Sequence, residues 1–176
     1  MSLLIHARGM ARYNQWMNER IYDACAGLSD AERKRDAGAF FRSIHGTLNH
    51  ILLADRLWMG RFTGEPFSVQ SLDQELYADF DTLRSERARE DERIRAWAEA
   101  LTEATLGGEL AYTSAVNPAP RRMPYWLAVS HFFNHQTHHR GQITTLLTQQ
   151  GVDPGVTDLI WCPEAKELGP AGAPPG

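Results

Sequence analysis

Four of the seven histidines in the chain fall within nine residues, at His131, His135, His138 and His139. Their segment has apolar spacing that predicts one amphipathic helix. Because a helix turns about 100° per residue, His131, His135 and His139 share one face, about 40° apart at each step. Two imidazoles on successive turns can bind the same metal ion. The spacing therefore predicts a metal site on this helix.

A third candidate ligand, His50, lies in an apolar helical run far upstream. Three imidazoles around one ion, with a position left for water or substrate, is the ligand count of a catalytic metal site. We therefore predict His50, His135 and His139 as ligands. Without a metal, each buried ring nitrogen left unpaired costs about 1–3 kcal/mol. The alternatives are hydrogen-bonded core histidines, or a polar helix face at a subunit contact.

Other polar residues near this stripe have open roles. His131 is a further candidate ligand, a hydrogen-bond donor to a ligand or a base lining the cavity. His138 lies about 60° off the stripe, where it orients its neighbours or reaches a partner subunit. Gln142 lies on the stripe and is placed to bond a ligand imidazole or substrate. His45 is predicted to be a core histidine.

Several absent motifs narrow the chemistry. Gln136 follows His135 at the position where an HExxH metallopeptidase carries its glutamate. The sequence contains no Glu-x-x-His pair of the kind used in di-iron carboxylate bundles. It also lacks a phosphate-binding glycine loop. A mononuclear, histidine-rich site remains, suited to Zn, Ni, Fe or Cu.

Four long helical segments must position these side chains. The predicted segments are 3–27, 42–62, 72–106 and 124–150, with a capped turn at Ser29 and an extended stretch from Glu109 to Val116. The absence of a convincing strand run predicts an all-α four-helix bundle. The connection between helices three and four is long enough for a crossover.

Two of these helices carry unusual patterns. The second is apolar on both faces, which predicts that one face lies in the core and the other against a second subunit. The third carries Arg87 and Glu90 in the phase of its apolar residues. These charges are either solvated on an overhanging stretch or paired around a polar cavity.

Length and composition set the class of protein. The 176 residues are predicted to form one domain, 1–168, with a disordered Pro/Gly-rich tail at 169–176. The net charge of −4 and the short basic clusters argue against nucleic-acid binding. No run approaches the ~20 apolar residues of a membrane span, and no signal-peptide core is present. Two cysteines without a framework predict a reducing, cytoplasmic location.

The chain resembles the DinB family of metalloenzymes over nearly its whole length. The resemblance rests on YNQWMN at 13–18, SIHGTLNH at 43–50, ADRLW at 54–58 and FNHQTHHRGQ at 133–142. It implies a four-helix bundle with an up-down-down-up course that is often dimeric. It also implies a divalent-metal site whose three histidines map onto His50, His135 and His139, with His131 not ligating.

The resemblance also suggests activities. Characterised relatives include transferases and isomerases that use small thiols such as bacillithiol or mycothiol, and others are proposed hydrolases. We therefore predict a cytoplasmic, homodimeric enzyme with one divalent transition metal, Zn or Ni with Fe as an alternative, and a small thiol cosubstrate. It would act on a small-molecule substrate as a thiol S-transferase or a hydrolase, with His131 as candidate base and His138 and Gln142 supporting the ligands. The alternatives are a non-catalytic metal- or small-ligand-binding stress protein and a structural dimer with packing histidines.

Overall fold

The computed structural model describes residues 2–113 and 119–167 of the chain. Within these ranges the helices are α1 (Leu3–Ala26), α2 (Asp30–Lys34), α3 (Ile44–Thr63), α4 (Phe80–Ala100), α5 (Glu103–Leu106), α6 (Tyr125–Gln149) and α7 (Pro163–Lys166). Two strands, β1 (Glu109–Thr113) and β2 (Pro120–Pro124), precede α6. The fold is therefore mostly helical.

The four long helices bury their apolar faces against one another. Helix α1 contacts α4 and α6, and α3 contacts the same two helices. The buried side chains form two apolar clusters, one including Met17, Ile21, Leu48 and Leu147 and the other including Met59, Ile94 and Phe132. This packing places α3 beside α6, so the two helices that carry the predicted ligands face each other.

The helix ends follow side-chain caps and glycines. Ser29 and Glu32 bond reciprocally at the start of α2, which confirms the predicted capped turn. Ser43 caps the start of α3. Gly64, in the left-handed conformation with φ 75°, caps its end. The C-cap residue of α6 is Gln150, and Gly151 follows it with φ 77°. Three of the four predicted long helices are confirmed to within two residues at each end.

The predicted third helix is wrong at both ends. Helix α4 begins eight residues later than expected and ends at Ala100, and Glu103–Leu106 form the separate helix α5. The Asn49 side-chain oxygen accepts hydrogen bonds from the backbone N–H groups of Leu76 and Tyr77, each at 2.9 Å. The carboxylate of Asp79 then caps α4 by accepting from Thr82 N. Backbone groups that a helix would use internally are thus taken by a side chain of α3.

The all-α prediction is also incomplete, because β1 and β2 form an antiparallel two-stranded sheet. Residues 109–113 of the predicted extended stretch form β1, and the remainder of that stretch, 114–116, lies outside the described residues. Strand β2 has a proline at each end, Pro120 and Pro124, which hides the strand pattern in the sequence. The sheet lies in the connection between α4 and α6.

The second apolar face of α3 is buried within the chain itself. Leu53 is fully buried and Leu57 is 7% exposed in the single chain. The segment after α3 covers this face, and a Cβ at Gly60 would lie 2.6 Å from the carbonyl oxygen of Glu65. This burial gives no support for a second subunit at α3, and a homodimer stays a prediction.

Arg87 and Glu90 are buried, so their placement on a solvated overhang is wrong. Arg87 pairs with Asp55 at 2.6 Å and with Asp91 at 3.0 Å. Glu90 instead lies 3.6 Å from Arg56 of α3. The charges therefore belong to a polar interior, but their partners are residues of α3 and the next turn of α4.

The predicted tail, 169–176, and the end of the predicted domain at residue 168 lie outside the described residues. In the ranges that the structure describes, no helix combines the length and the apolar character needed to cross a bilayer.

Candidate metal centre

Three histidine rings converge between α3 and α6. His135 Nε2 lies 3.3 Å from His50 Nε2 and 3.1 Å from His139 Nε2. One ring nitrogen from each residue lies within 4.8 Å of the others. Within the described ranges, no carboxylate or thiol joins this group. The structure thus brings together the three residues that were predicted as ligands, and they could hold a metal ion.

The spacing of the ring nitrogens fits a divalent ion of the size of Zn. Zn–N bonds are about 2.0–2.1 Å long, so two nitrogens of a tetrahedral site lie about 3.3–3.4 Å apart. The two observed Nε2 separations, 3.3 and 3.1 Å, are close to that edge length. Three protein ligands leave one tetrahedral position free for a ligand from outside the chain.

The hydrogen bonds on the far side of the rings aim nitrogen lone pairs at a common point. His50 Nδ1 lies 2.8 Å from the carbonyl oxygen of Leu72, and His139 Nδ1 lies 2.8 Å from Gln142 Oε1. Both oxygens only accept, so each Nδ1 carries the proton and each Nε2 presents a lone pair. His135 Nε2 can donate to one of these lone pairs at most. A cation at the centre would satisfy all three nitrogens at once.

Burial keeps these rings neutral. It lowers the pKa of His50 to about 4 and that of His135 to about 3, with the neighbouring histidines adding to the shift. Burial also lowers the pKa of His139. Neutral imidazole is the form that binds a metal, so the ligands need no deprotonation near pH 7.

An aromatic side chain, Phe41, covers one side of the centre. Its ring stacks on that of His50, with centroids 3.8 Å apart and an angle of 17° between the planes. The Phe41 and His139 rings meet edge to face, with centroids 5.5 Å apart. This ring shields two of the three imidazoles from water. A drier surrounding strengthens the attraction between a bound cation and its ligands.

Phe41 is held by an unusual turn before α3. Arg42 has φ 66°, and Ser43 N donates to the carbonyl oxygen of Phe41 at 2.7 Å, which closes a tight γ-turn. A Cβ at Gly46 would collide with that same carbonyl oxygen. Phe41 was not among the predicted site residues. Gly46, on the first turn of α3, is the sequence signal that another backbone segment approaches the helix there.

His131 stands one turn away and does not join the cluster. Its ring centroid is 6.0 Å from that of His135 and 5.0 Å from that of Trp58. Partial burial lowers its pKa, and the nearby positive charge of Arg61 lowers it further. A ring of this kind is neutral near pH 7, so it can accept a proton.

Two further predicted residues, Gln142 and His138, lie next to His139, and a third histidine, His45, lies in the core. Gln142 contacts His139 Nδ1, and its Nε2 lies 3.5 Å from the ring of His138, an exposed residue. His45 is confirmed as a core histidine, because it is buried and its Nε2 lies 2.9 Å from the carbonyl oxygen of Tyr77.

The buried carboxylate of Asp55 is engaged by other side chains. Asp55 accepts from Gln136 Nε2 at 2.9 Å and from Arg87 at 2.6 Å. Gln136, which occupies the glutamate position of a metallopeptidase motif, is fully buried and turned toward Asp55. Neither side chain is available to act as a base at the centre.

The two cysteines are structural. Cys25 and Cys162 are free thiols that are fully buried in one apolar cluster. Burial raises the pKa of the Cys25 thiol to about 12. A small thiol used in a reaction would therefore come from outside the chain.

Comparison with known proteins identifies the family of this chain. The family model described as DinB family matches residues 3–172. A curated relative, Protein DinB of Bacillus subtilis (strain 168), is 27% identical over 150 residues, which cover 83% of this chain and 87% of the relative. Since the family match spans nearly all of the sequence, the chain belongs to the DinB family.

Proposed function

We propose that the protein is a metal-dependent enzyme in which His50, His135 and His139 hold one divalent transition metal ion, Zn or Ni, with one coordination position open. The observation that carries this proposal is the convergence of three Nε2 atoms, with His135 Nε2 at 3.1 and 3.3 Å from the other two. Two of these rings are fixed from behind by oxygen acceptors, which is how proteins orient metal-binding histidines.

The reaction that we propose is transfer or hydrolysis, with transfer of a small thiol favoured. A bound ion supplies Lewis acidity that lowers the pKa of a thiol or water at the open position. His131 is the base candidate, since it is neutral and adjacent to the cluster. The Phe41 ring would exclude water from one side of the metal centre. The engagement of Asp55 by Arg87 and Gln136 favours the thiol, whose thiolate needs less help from a carboxylate base.

We also propose that the four long helices follow the up-down-down-up course implied by the family resemblance. The contacts of α1 and α3 with both α4 and α6 support a four-helix bundle. The connection from α4 to α6, which contains α5 and the sheet, would be its long crossover.

The test compares His135→Ala with His131→Ala. We expect His135→Ala to lose bound metal and turnover, because two ligands cannot retain the ion. His131→Ala should keep its metal and lose only turnover. Elemental analysis of the purified proteins measures the metal, and a screen of thiol conjugation to electrophiles measures turnover.

Full metal content in His135→Ala would overturn the ligand assignment. A saturated site in the wild type, with no ligand that exchanges, would instead favour the non-catalytic metal-binding protein. Purified wild type that holds no metal and is not stabilised by Zn or Ni would favour packing histidines.

A further inference from the structure

One arginine near the C-terminal end of α3 has no acidic partner among the described residues. Arg61, in the last turn of α3, is half-buried, and no hydrogen bond or ion pair to its guanidinium occurs within the described ranges. The nearby acidic side chain of Glu65 pairs with Arg93 at 3.1 Å. Five N–H donors and one positive charge are thus left for a ligand or water.

Two aromatic rings hold this guanidinium in place. Its central carbon lies 4.4 Å from the ring centroid of Trp58 and 4.5 Å from that of Tyr112. The two rings are 5.7 Å apart and tilted by 56°, so the guanidinium sits in the corner between them. Cation–π contacts fix its position without satisfying its in-plane donors.

A cavity of about 270 Å³ opens beside the guanidinium. Its lining includes Arg61, Leu57, Phe67, Tyr112 and Thr113. Sites for drug-sized ligands occupy about 300–1,000 Å³, so this cavity suits a small organic molecule. Among the described residues that line the cavity, Arg61 alone carries a formal charge.

The cavity and the metal centre lie toward the same side of α3, at different heights along the helix. Arg61 is eleven residues after His50, so helix geometry puts both on one side of α3, roughly 16 Å apart along the axis. The His131 ring bridges this gap, 6.0 Å from the ring of His135 on one side and 5.0 Å from that of Trp58 on the other. The side chains of Trp58 and His131 therefore connect Arg61 with the three histidines.

We propose that Arg61, in the corner of Trp58 and Tyr112, binds the carboxylate of a small organic acid that occupies this cavity. This assignment of a substrate class rests on the proposed function. A guanidinium pairs with a carboxylate through two parallel hydrogen bonds. One positive charge balances a carboxylate monoanion, whereas a phosphate dianion would leave negative charge unpaired in this partly apolar cavity. The aromatic walls would pack against the carbon skeleton of the acid.

The test uses 4-fluorobenzoate and its neutral match, 4-fluorobenzamide, as probes whose binding is followed by fluorine NMR. In the wild-type protein we expect benzoate to bind about tenfold tighter or more, since a charged hydrogen bond is formed. Arg61→Gln should lose that preference, and Arg61→Lys should keep part of it. Arg89→Gln, which changes an exposed arginine of α4, should keep all of it. Circular dichroism checks that each variant is folded.

A second arm separates this inference from the metal site. His135→Ala should retain the preference for benzoate, because the anchor is Arg61. Loss of the preference in His135→Ala but not in Arg61→Gln would place the carboxylate on the metal and overturn the proposal. If the wild type holds no metal yet discriminates the probes through Arg61, the proposed function fails and the anion site stands.

Three further outcomes would overturn the proposal. These are equal affinity of the wild type for both probes, no binding of either probe, and an unchanged preference in Arg61→Gln. Inorganic phosphate serves as a competitor. We expect phosphate to displace 4-fluorobenzoate only weakly. If phosphate acted at a concentration about tenfold lower than 4-fluorobenzoate itself needs to bind, the site would be assigned to a phosphate group and the carboxylate proposal would be overturned.

Discussion

His50 and His139 are oriented by what bonds their outer nitrogens. The carbonyl of Leu72 and the amide oxygen of Gln142 each fix a proton on Nδ1, which leaves Nε2 free to bind. One acceptor is backbone and the other is a side chain. A substitution can therefore remove the Gln142 acceptor, whereas the backbone carbonyl of Leu72 is present whatever side chain residue 72 carries.

We predict that Gln142→Leu weakens metal binding by about 10- to 100-fold, because His139 loses the acceptor that sets its tautomer and ring orientation. Gln149→Leu is the matched control, an exposed residue near the end of the same helix. Competition for zinc with a chelating dye measures both affinities. Equal affinity of the two variants would show that Gln142 does not support the ligand.

At the scale of elements, the first turn of α3 positions Phe41, whose ring covers one side of the metal centre. Gly46 lets the backbone of Phe41 lie against the helix, and the γ-turn at Arg42 then places the Phe41 ring on His50. The loop before α4 is equally constrained, since Asn49 binds two of its N–H groups. Helix α3 thus organises the segments on both of its sides.

Gly46→Ala and Gly141→Ala should change stability in opposite directions. The added methyl at Gly46 collides with the Phe41 carbonyl, so we expect the free energy of unfolding to fall by about 1–3 kcal/mol. Gly141, in α6, has open space around its Cβ position, and alanine there should add about 0.5–1 kcal/mol. Urea unfolding measures both. A Gly46→Ala protein at least as stable as the wild type would show that Phe41 can move freely.

At the scale of the whole molecule, one buried polar network joins all four long helices. Asp91 of α4 accepts from side chains of α1 and pairs with Arg87, which also bonds Asp55 of α3, and Asp55 is bonded by Gln136 of α6. Gln136 directly follows His135. The network therefore sets how α6 sits against α3, and with it the distance between the ligands.

Arg87→Leu should lower the free energy of unfolding by about 3–5 kcal/mol, because Asp55 and Asp91 would remain buried without their cation. Arg89→Leu is the control on the same helix. Its side chain is 74% exposed, and removing its surface ion pair should cost about 0–1 kcal/mol. Denaturant midpoints give the comparison, and similar midpoints for the two variants would mean that the network is dispensable.

Prediction from sequence worked best where the signal was local. The periodicity of α1, α3 and α6 located these helices, and the family resemblance agreed with the choice of His50. It failed for residues 72–79, where apolar spacing suggested helix but Asn49 holds the backbone in another path. It also missed β2, since that strand exists only through its pairing with β1.

Helical periodicity alone was enough to put His135 and His139 one turn apart on a single face, because the rise and twist of a helix depend only on neighbouring residues. The approach of His50, the cover of Phe41 and the corner that holds Arg61 were decided by packing. The contacts of His50 with His135, of Phe41 with His139 and of Arg61 with Tyr112 join residues separated by tens of positions. No short-range pattern encodes such distances, and the folded arrangement of α3 against α6 establishes them.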